Sequence, residues 1–109
     1  MLAQLLGSLN KERVLIYLAG RDRGYAREIA RFFNAPLSPL QLAINNLEAA
    51  GVIVGRSVGK TREYEFNPRY PARNELKALL DRALYLYPTK MREDLVLTRS
   101  RPRRKGKPL

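Results

Sequence analysis

YAREIARFFNAPLSPLQLAINNLEAAG, residues Tyr25 to Gly51, reads as two short helices joined by a tight connection. In the first, Ile29, Ala30 and Phe33 share one face and Arg27, Glu28 and Arg31 the other, the spacing of an amphipathic helix. The pattern breaks at Asn34-Ala35-Pro36. A second helix is predicted to start at Ser38 as its cap, with Pro39 in the first helical position and Gln41 completing an S-x-x-Q capping box. Leu40, Ile44 and Leu47 then recur at helical spacing, and Gly51 stands where a left-handed C-cap is expected. Two helices around a short turn make a helix-turn-helix, whose second member can lie in a DNA major groove. The same pair also occurs as plain core packing in all-α domains.

The residues after Gly51 separate these readings. Val52 to Val58 and Thr61 to Phe66 are β-type runs around Gly59-Lys60, the pattern of a hairpin. Tyr64 and Phe66 fall on one face of the second run and Glu63 and Glu65 on the other, so one side is dry and one wet. A helix-turn-helix with a basic-tipped hairpin directly after it is a winged helix. The expected fold class is therefore mainly α with a small β-hairpin (α+β), about four helices with a two- or three-stranded wing sheet.

The charge balance bears on partners rather than on fold. Lys and Arg number 21 against 10 acids, a net charge of +11 and a pI near 10.6 in 109 residues, which attracts polyanions. Arg99, Arg101, Arg103, Arg104, Lys105 and Lys107 put six of those charges near the C-terminus with no acid among them. Length and a 45% apolar composition suit one small core. There is no Cys and no His, which excludes disulfides, thiol chemistry, Cys/His zinc sites and a His general base by residue type. No cofactor or metal is expected, and no enzyme. No run approaches the roughly 18 apolar residues of a membrane span, and Met1 to Gly7 lacks the basic start of a signal peptide. The expected location is the cytoplasm.

The flanks supply further helices. Leu2, Leu5, Leu6 and Leu9 lie at i, i+3, i+4 and i+7, although Gly7-Ser8 interrupts the stripe. Asn10 is the expected cap of a helix from Lys11 to Ala19, with Val14, Leu15 and Leu18 facing the core. GRDRG, residues 20–24, reads as a polar turn, and the fold would let Tyr25 pair as a short strand with the wing. Beyond Pro68, a helix is predicted from about Pro71 to Tyr87, striped by Leu76, Leu79, Leu80, Ala83, Leu84 and Tyr87. With Leu2, Leu5, Leu6 and Leu9 this stripe is the expected surface of a homodimer, unless both stripes pack on their own subunit. The division expected is 1–87 as the winged-helix domain with dimerising terminal helices, and 88–109 as a basic tail.

In order and spacing, several segments together resemble the ArsR-like winged-helix transcriptional regulators. They are Leu6-Gly7-Ser8, Arg27-Glu28-Ile29-Ala30, Leu47-Glu48-Ala49-Ala50-Gly51, Arg62-x-Tyr64-x-Phe66-Asn67-Pro68 and Glu75-Leu76-x-x-Leu79-Leu80. The likeness covers roughly residues 5 to 85 and implies a homodimer that sets two recognition helices in successive major grooves, with wings on flanking backbone or minor groove. Metal sensing through Cys and His, known among founding members, does not carry over to a chain with neither.

With Leu40, Ile44 and Leu47 turned inward, Leu37, Ser38, Gln41, Leu42 and Asn45 point outward. Gln41 and Asn45 lie one turn apart, and either amide can pair bidentately with adenine N6 and N7. Leu37 and Leu42 offer only apolar contact, as to a thymine methyl, and Ser38 is better suited to capping than to reading. Phosphate contacts are expected from Arg27 and Arg31 on the first helix and from Arg56, Lys60 and Arg62 on the wing, with the basic tail as an additional arm. Gly55 to Thr61 is a near-match to a phosphate-binding loop, but it has three residues between its glycines where four are needed, and it runs on as a strand. The competing reading is a winged helix used for protein interaction or RNA binding, favoured by Leu37 and Leu42. No small-molecule effector is legible.

Overall fold

In the computed structural model, which describes residues 1–96, these patterns resolve into six helices and a three-stranded antiparallel sheet. In chain order they are α1 (Leu2–Leu6), α2 (Leu9–Arg21), β1 (Arg23–Tyr25), α3 (Ala26–Phe33), α4 (Leu37–Ala49), β2 (Ile53–Val58), β3 (Thr61–Phe66), α5 (Arg73–Leu84) and α6 (89–96). The expectations for Arg99, Arg101, Arg103, Arg104, Lys105 and Lys107 lie outside the described residues. No helix of the described residues is long and apolar enough to cross a membrane.

α2 is the central post. Every residue from Val14 to Gly20 is buried, a helix enclosed on all sides by α1, α3, α4, α5 and β1. It begins earlier than expected because Ser8, not Asn10, is its cap: the Ser8 hydroxyl accepts the Lys11 N–H at 3.1 Å. Asn10 instead accepts from Arg13 on the helix surface, at 3.0 Å. α2 also runs through Gly20 and ends only at Arg21, so the polar turn shrinks to Asp22 and Arg23–Tyr25 forms a strand.

The sheet order is β1-β3-β2. β3 is the middle strand, paired with β2 from Ile53↔Phe66 to Val58↔Thr61 and with β1 over Arg23↔Glu65, Gly24↔Tyr64 and Tyr25↔Glu63. Gly59 has a positive φ of 64°, as the first central residue of a type II′ turn requires, so a two-residue hairpin closes without splaying the strands. Tyr64 and Phe66 are buried as their alternation predicts.

The two leucine stripes serve mainly their own core, which corrects the expectation that they form a dimer surface as a whole. Leu2 is buried, and Leu6, Leu76 and Tyr87 pack against the core with Leu80, Ala83 and Leu84. Only Leu5, Leu9 and Leu79 of these stripes remain exposed. α5 stops at Leu84 rather than Tyr87, because Tyr85, Leu86 and Tyr87 close it with tight bonds to the carbonyls three residues back. The core also continues past 87: Leu95 on α6 is fully buried, seated where a Cβ on Gly20 would come within 2.9 Å of its own Cβ. Arg21 ties the same corner, donating to the Tyr17 hydroxyl at 2.6 Å and to the Asp94 carbonyl at 3.3 Å.

Glu12 is a buried charge that no pattern announced. Its Oε2 accepts the Tyr87 hydroxyl, and its Oε1 lies 3.6 Å from the Met1 ammonium. Burial, reinforced by the bond to Glu12, pushes the Tyr87 phenol well above its ordinary value near 10. Burial also raises Tyr17, with Glu28 adding and Arg21 opposing. Replacing Tyr87 by Phe removes the only hydrogen-bond donor to Glu12 Oε2 seen among the described residues, and should cost about 1–3 kcal/mol in denaturant unfolding. Above a pH of about 10 the unfolded chain releases tyrosine protons that the folded chain keeps, so stability, fully present below that pH, falls as pH rises. The fall should be shallower in Tyr87→Phe; equal slopes would show that Tyr87 titrates alike in both states.

Candidate nucleic-acid interface

α3 and α4 are joined by Asn34, in the left-handed conformation at φ 52°, and by Ala35-Pro36. α3 starts from β1, and the Tyr25 N–H donates to the Glu28 carboxylate at 3.3 Å, half of a capping box. This places Arg27 and Arg31 on the open side of α3, while Ile29 and Ala30 enter the core.

α4 begins two residues before the expected start. Its cap position is Pro36 with no side-chain cap bond, so Ser38 lies inside the first turn, exposed, and caps nothing. Pro39 is tolerated there because the first-turn N–H groups have no partner within the helix in any case. The far end follows the expectation: Gly51 is left-handed at φ 79°, and Val52 N–H returns to the Leu47 carbonyl at 3.0 Å. Leu40, Ala43, Ile44 and Leu47 are buried.

Of the residues expected to face outward, Ser38, Leu42 and Asn45 are exposed and Gln41 is half-buried. Leu42 stands 61% exposed, the one large apolar side chain of the helix open to this degree. Leu37 is half-buried at the start of the helix, packing against the core while it also lines the cleft between α3, α4 and β3. Asn46, also exposed, belongs to the outer face and was missed, although its distance of four from Leu42 carried the signal. The Gln41 amide donates to Asn45 Oδ1 at 3.0 Å, leaving the Asn45 NH2 free to donate outward. Gln41 Nε2 is also 3.5 Å from the Tyr64 hydroxyl, a wing contact hidden in a residue whose sequence pattern spoke only of burial.

Between α3, α4 and β3 lies a cleft of about 470 Å³, lined among others by Arg27, Arg31, Gln41, Lys60, Arg62 and Tyr64. Four of the five expected phosphate contacts thus meet around one concavity, whereas Arg56 does not line it. Among the described residues, Arg27, Arg31 and Lys60 have no ion-pair partner. Arg56 lies 3.4 Å from Glu63, and Arg62 donates to Glu48 at 2.6 Å. That carboxylate raises the pKa of Arg62 above an already high value, so its charge is permanent.

The crystal structure of the adhesin competence repressor AdcR from Streptococcus pyogenes is similar to this chain, with a TM-score of 0.53 and 16% sequence identity. The match covers 96% of this chain and 90% of AdcR. It supports the winged-helix α+β fold. No protein-family model matches the chain, and no curated protein matches it in sequence.

Proposed function

We propose that this protein is a winged-helix transcriptional regulator of the ArsR-like kind that binds double-stranded DNA as a homodimer, with α4 in the major groove and the wing on flanking backbone. The observation that carries this reading is the cleft in which cations from α3 and the wing, without ion-pair partners among the described residues, flank the amide-bearing face of α4. The likeness to a solved repressor supports it. Asn45 is the base reader, held by Gln41 so that its NH2 and the second lone pair of its Oδ1 meet adenine N7 and N6. Leu42 meets a thymine methyl, and with no Arg on this face the site is A·T-leaning. Arg27, Arg31 and Lys60 neutralise phosphate first, whereas Arg62 beside them and Arg56 outside the cleft are already engaged by acids. The basic residues from Arg99 to Lys107 add a sequence-independent contact.

The alternative, docking to protein or RNA, draws on the exposure of Leu42. Titration of duplex DNA across a salt series separates the two. A dimer neutralising about six to eight phosphates loses roughly three to five decades of affinity between about 50 and 200 mM salt, while a protein-docking module shows no titratable duplex binding. Replacing Asn45 or Gln41 by Ala should weaken binding to the preferred duplex by about 1–3 kcal/mol and leave random-sequence binding in place; an unchanged preference removes these amides from the site.

The dimer surface we propose consists of the apolar side chains left over from the core, namely Leu5, Leu9, Leu79, Tyr85 and Leu86. Sedimentation should give twice the chain mass, and Leu5→Glu with Leu86→Glu should return it to the monomer. A double variant that stays dimeric would move the interface elsewhere.

A further inference from the structure

β1 pairs only with residues 63 to 65 of the wing, so the hairpin beyond them, from Ser57 to Arg62, projects past the last three-stranded rung, Tyr25–Glu63–Arg56. On that rung Arg56 pairs with Glu63, within the wing itself. Within the projection, Arg62 forms the one ion pair seen among the described residues, and it reaches the body, across to Glu48 near the end of α4. The guanidinium carbon sits 5.9 Å from the centre of the Tyr64 ring, and the Tyr64 hydroxyl is the group near Gln41. Opposite Tyr64 in register stands Gly55, where a Cβ would come within 2.7 Å of Arg62 Nε and 2.8 Å of Tyr64 Cε1. Gly55, Tyr64, Arg62 and Glu48 thus form one layered contact between the wing and the helix.

From this layer we infer that Glu48 and Arg62 are positioning residues: their ion pair sets the angle of the wing against α4, and Arg62 aims Lys60 at the phosphate backbone without binding a phosphate itself. The inference rests on the DNA-binding reading. Geometry rather than stability is what such a pair supplies here. Its side chains are 47% and 29% exposed, and exposed ion pairs contribute little to folding. The guanidinium is also committed twice, to a carboxylate 2.6 Å from Nη2 and to a ring face, which fixes its direction more firmly than a lone surface arginine.

The test uses the full chain and the variants Glu48→Gln, Arg62→Gln, Lys60→Gln and the double Glu48→Gln/Arg62→Gln. In the free protein, amide hydrogen exchange across residues 56–62 should quicken by about two- to fivefold in Glu48→Gln and Arg62→Gln alike, with the thermal midpoint nearly unchanged. With duplex, affinity should fall by a similar factor in both, and no further in the double variant. The slope of log affinity against log salt should shrink by about 1.8 in Lys60→Gln, about 0.9 for each wing of the dimer, and stay at the wild-type value in Arg62→Gln. A slope reduced by Arg62→Gln would make Arg62 a phosphate contact and overturn the inference, as would wing-tip exchange unmoved by Glu48→Gln. If wild-type protein binds no duplex, the DNA-binding reading fails, and the exchange data alone decide whether the pair positions the wing.

Discussion

Leu40, Ala43, Ile44 and Leu47 are buried in the core beside α2, and this contact fixes how α4 is turned about its own axis. Each step along a helix rotates the side chain by about 100°, so a one-residue slip would drive Gln41 or Asn45 into the core and lift an apolar residue out. Burying a polar amide without a partner would cost about 1–3 kcal/mol, and exposing Leu40 would forfeit about 1.5–3 kcal/mol more. The outer face of α4 is therefore set by what the inner face requires. α2 makes this possible by being buried all round from Val14 to Gly20, and β1 and α3 continue from its end with only Asp22 between.

Most of the fold was legible because its signals are local. The stripes of α4 and α5, the left-handed Gly51 and the alternation along β3 each state their period within a few residues. The helix starts were less legible. Ser38 and Asn10 have the chemistry of caps, but Pro36 and Ser8 occupy those positions, since a proline in the first turn loses nothing and so marks no boundary. The fate of the leucine stripes was not legible either. Whether Leu2 and Leu80 meet their own core or a second copy depends on tertiary packing, and here they are buried within the subunit.

Among the candidate site residues, position was easier to read than partnership. Arg27, Arg31, Lys60 and Arg62 converge as their elements predict. Their readiness for phosphate differs through long-range contacts: Glu48 is fourteen residues from Arg62, and the Tyr64 hydroxyl is twenty-three from Gln41. Glu12 shows the same limit in the core, because its partner Tyr87 lies seventy-five residues away. The net charge of +11 speaks of polyanions, but only these pairings say which cations stand open to them.

The central claim is that the outward amides of α4 meet base edges while the cations around the cleft hold the backbone. The direct measurement is two-dimensional NMR of 15N-labelled protein, following the side-chain amide signals of Gln41, Asn45 and Asn46 during titration with an A·T-containing duplex. On this account the Gln41 and Asn45 signals shift and sharpen together with the backbone amides of Arg27 and Lys60. Side-chain amides that keep their free positions while other regions respond would contradict it.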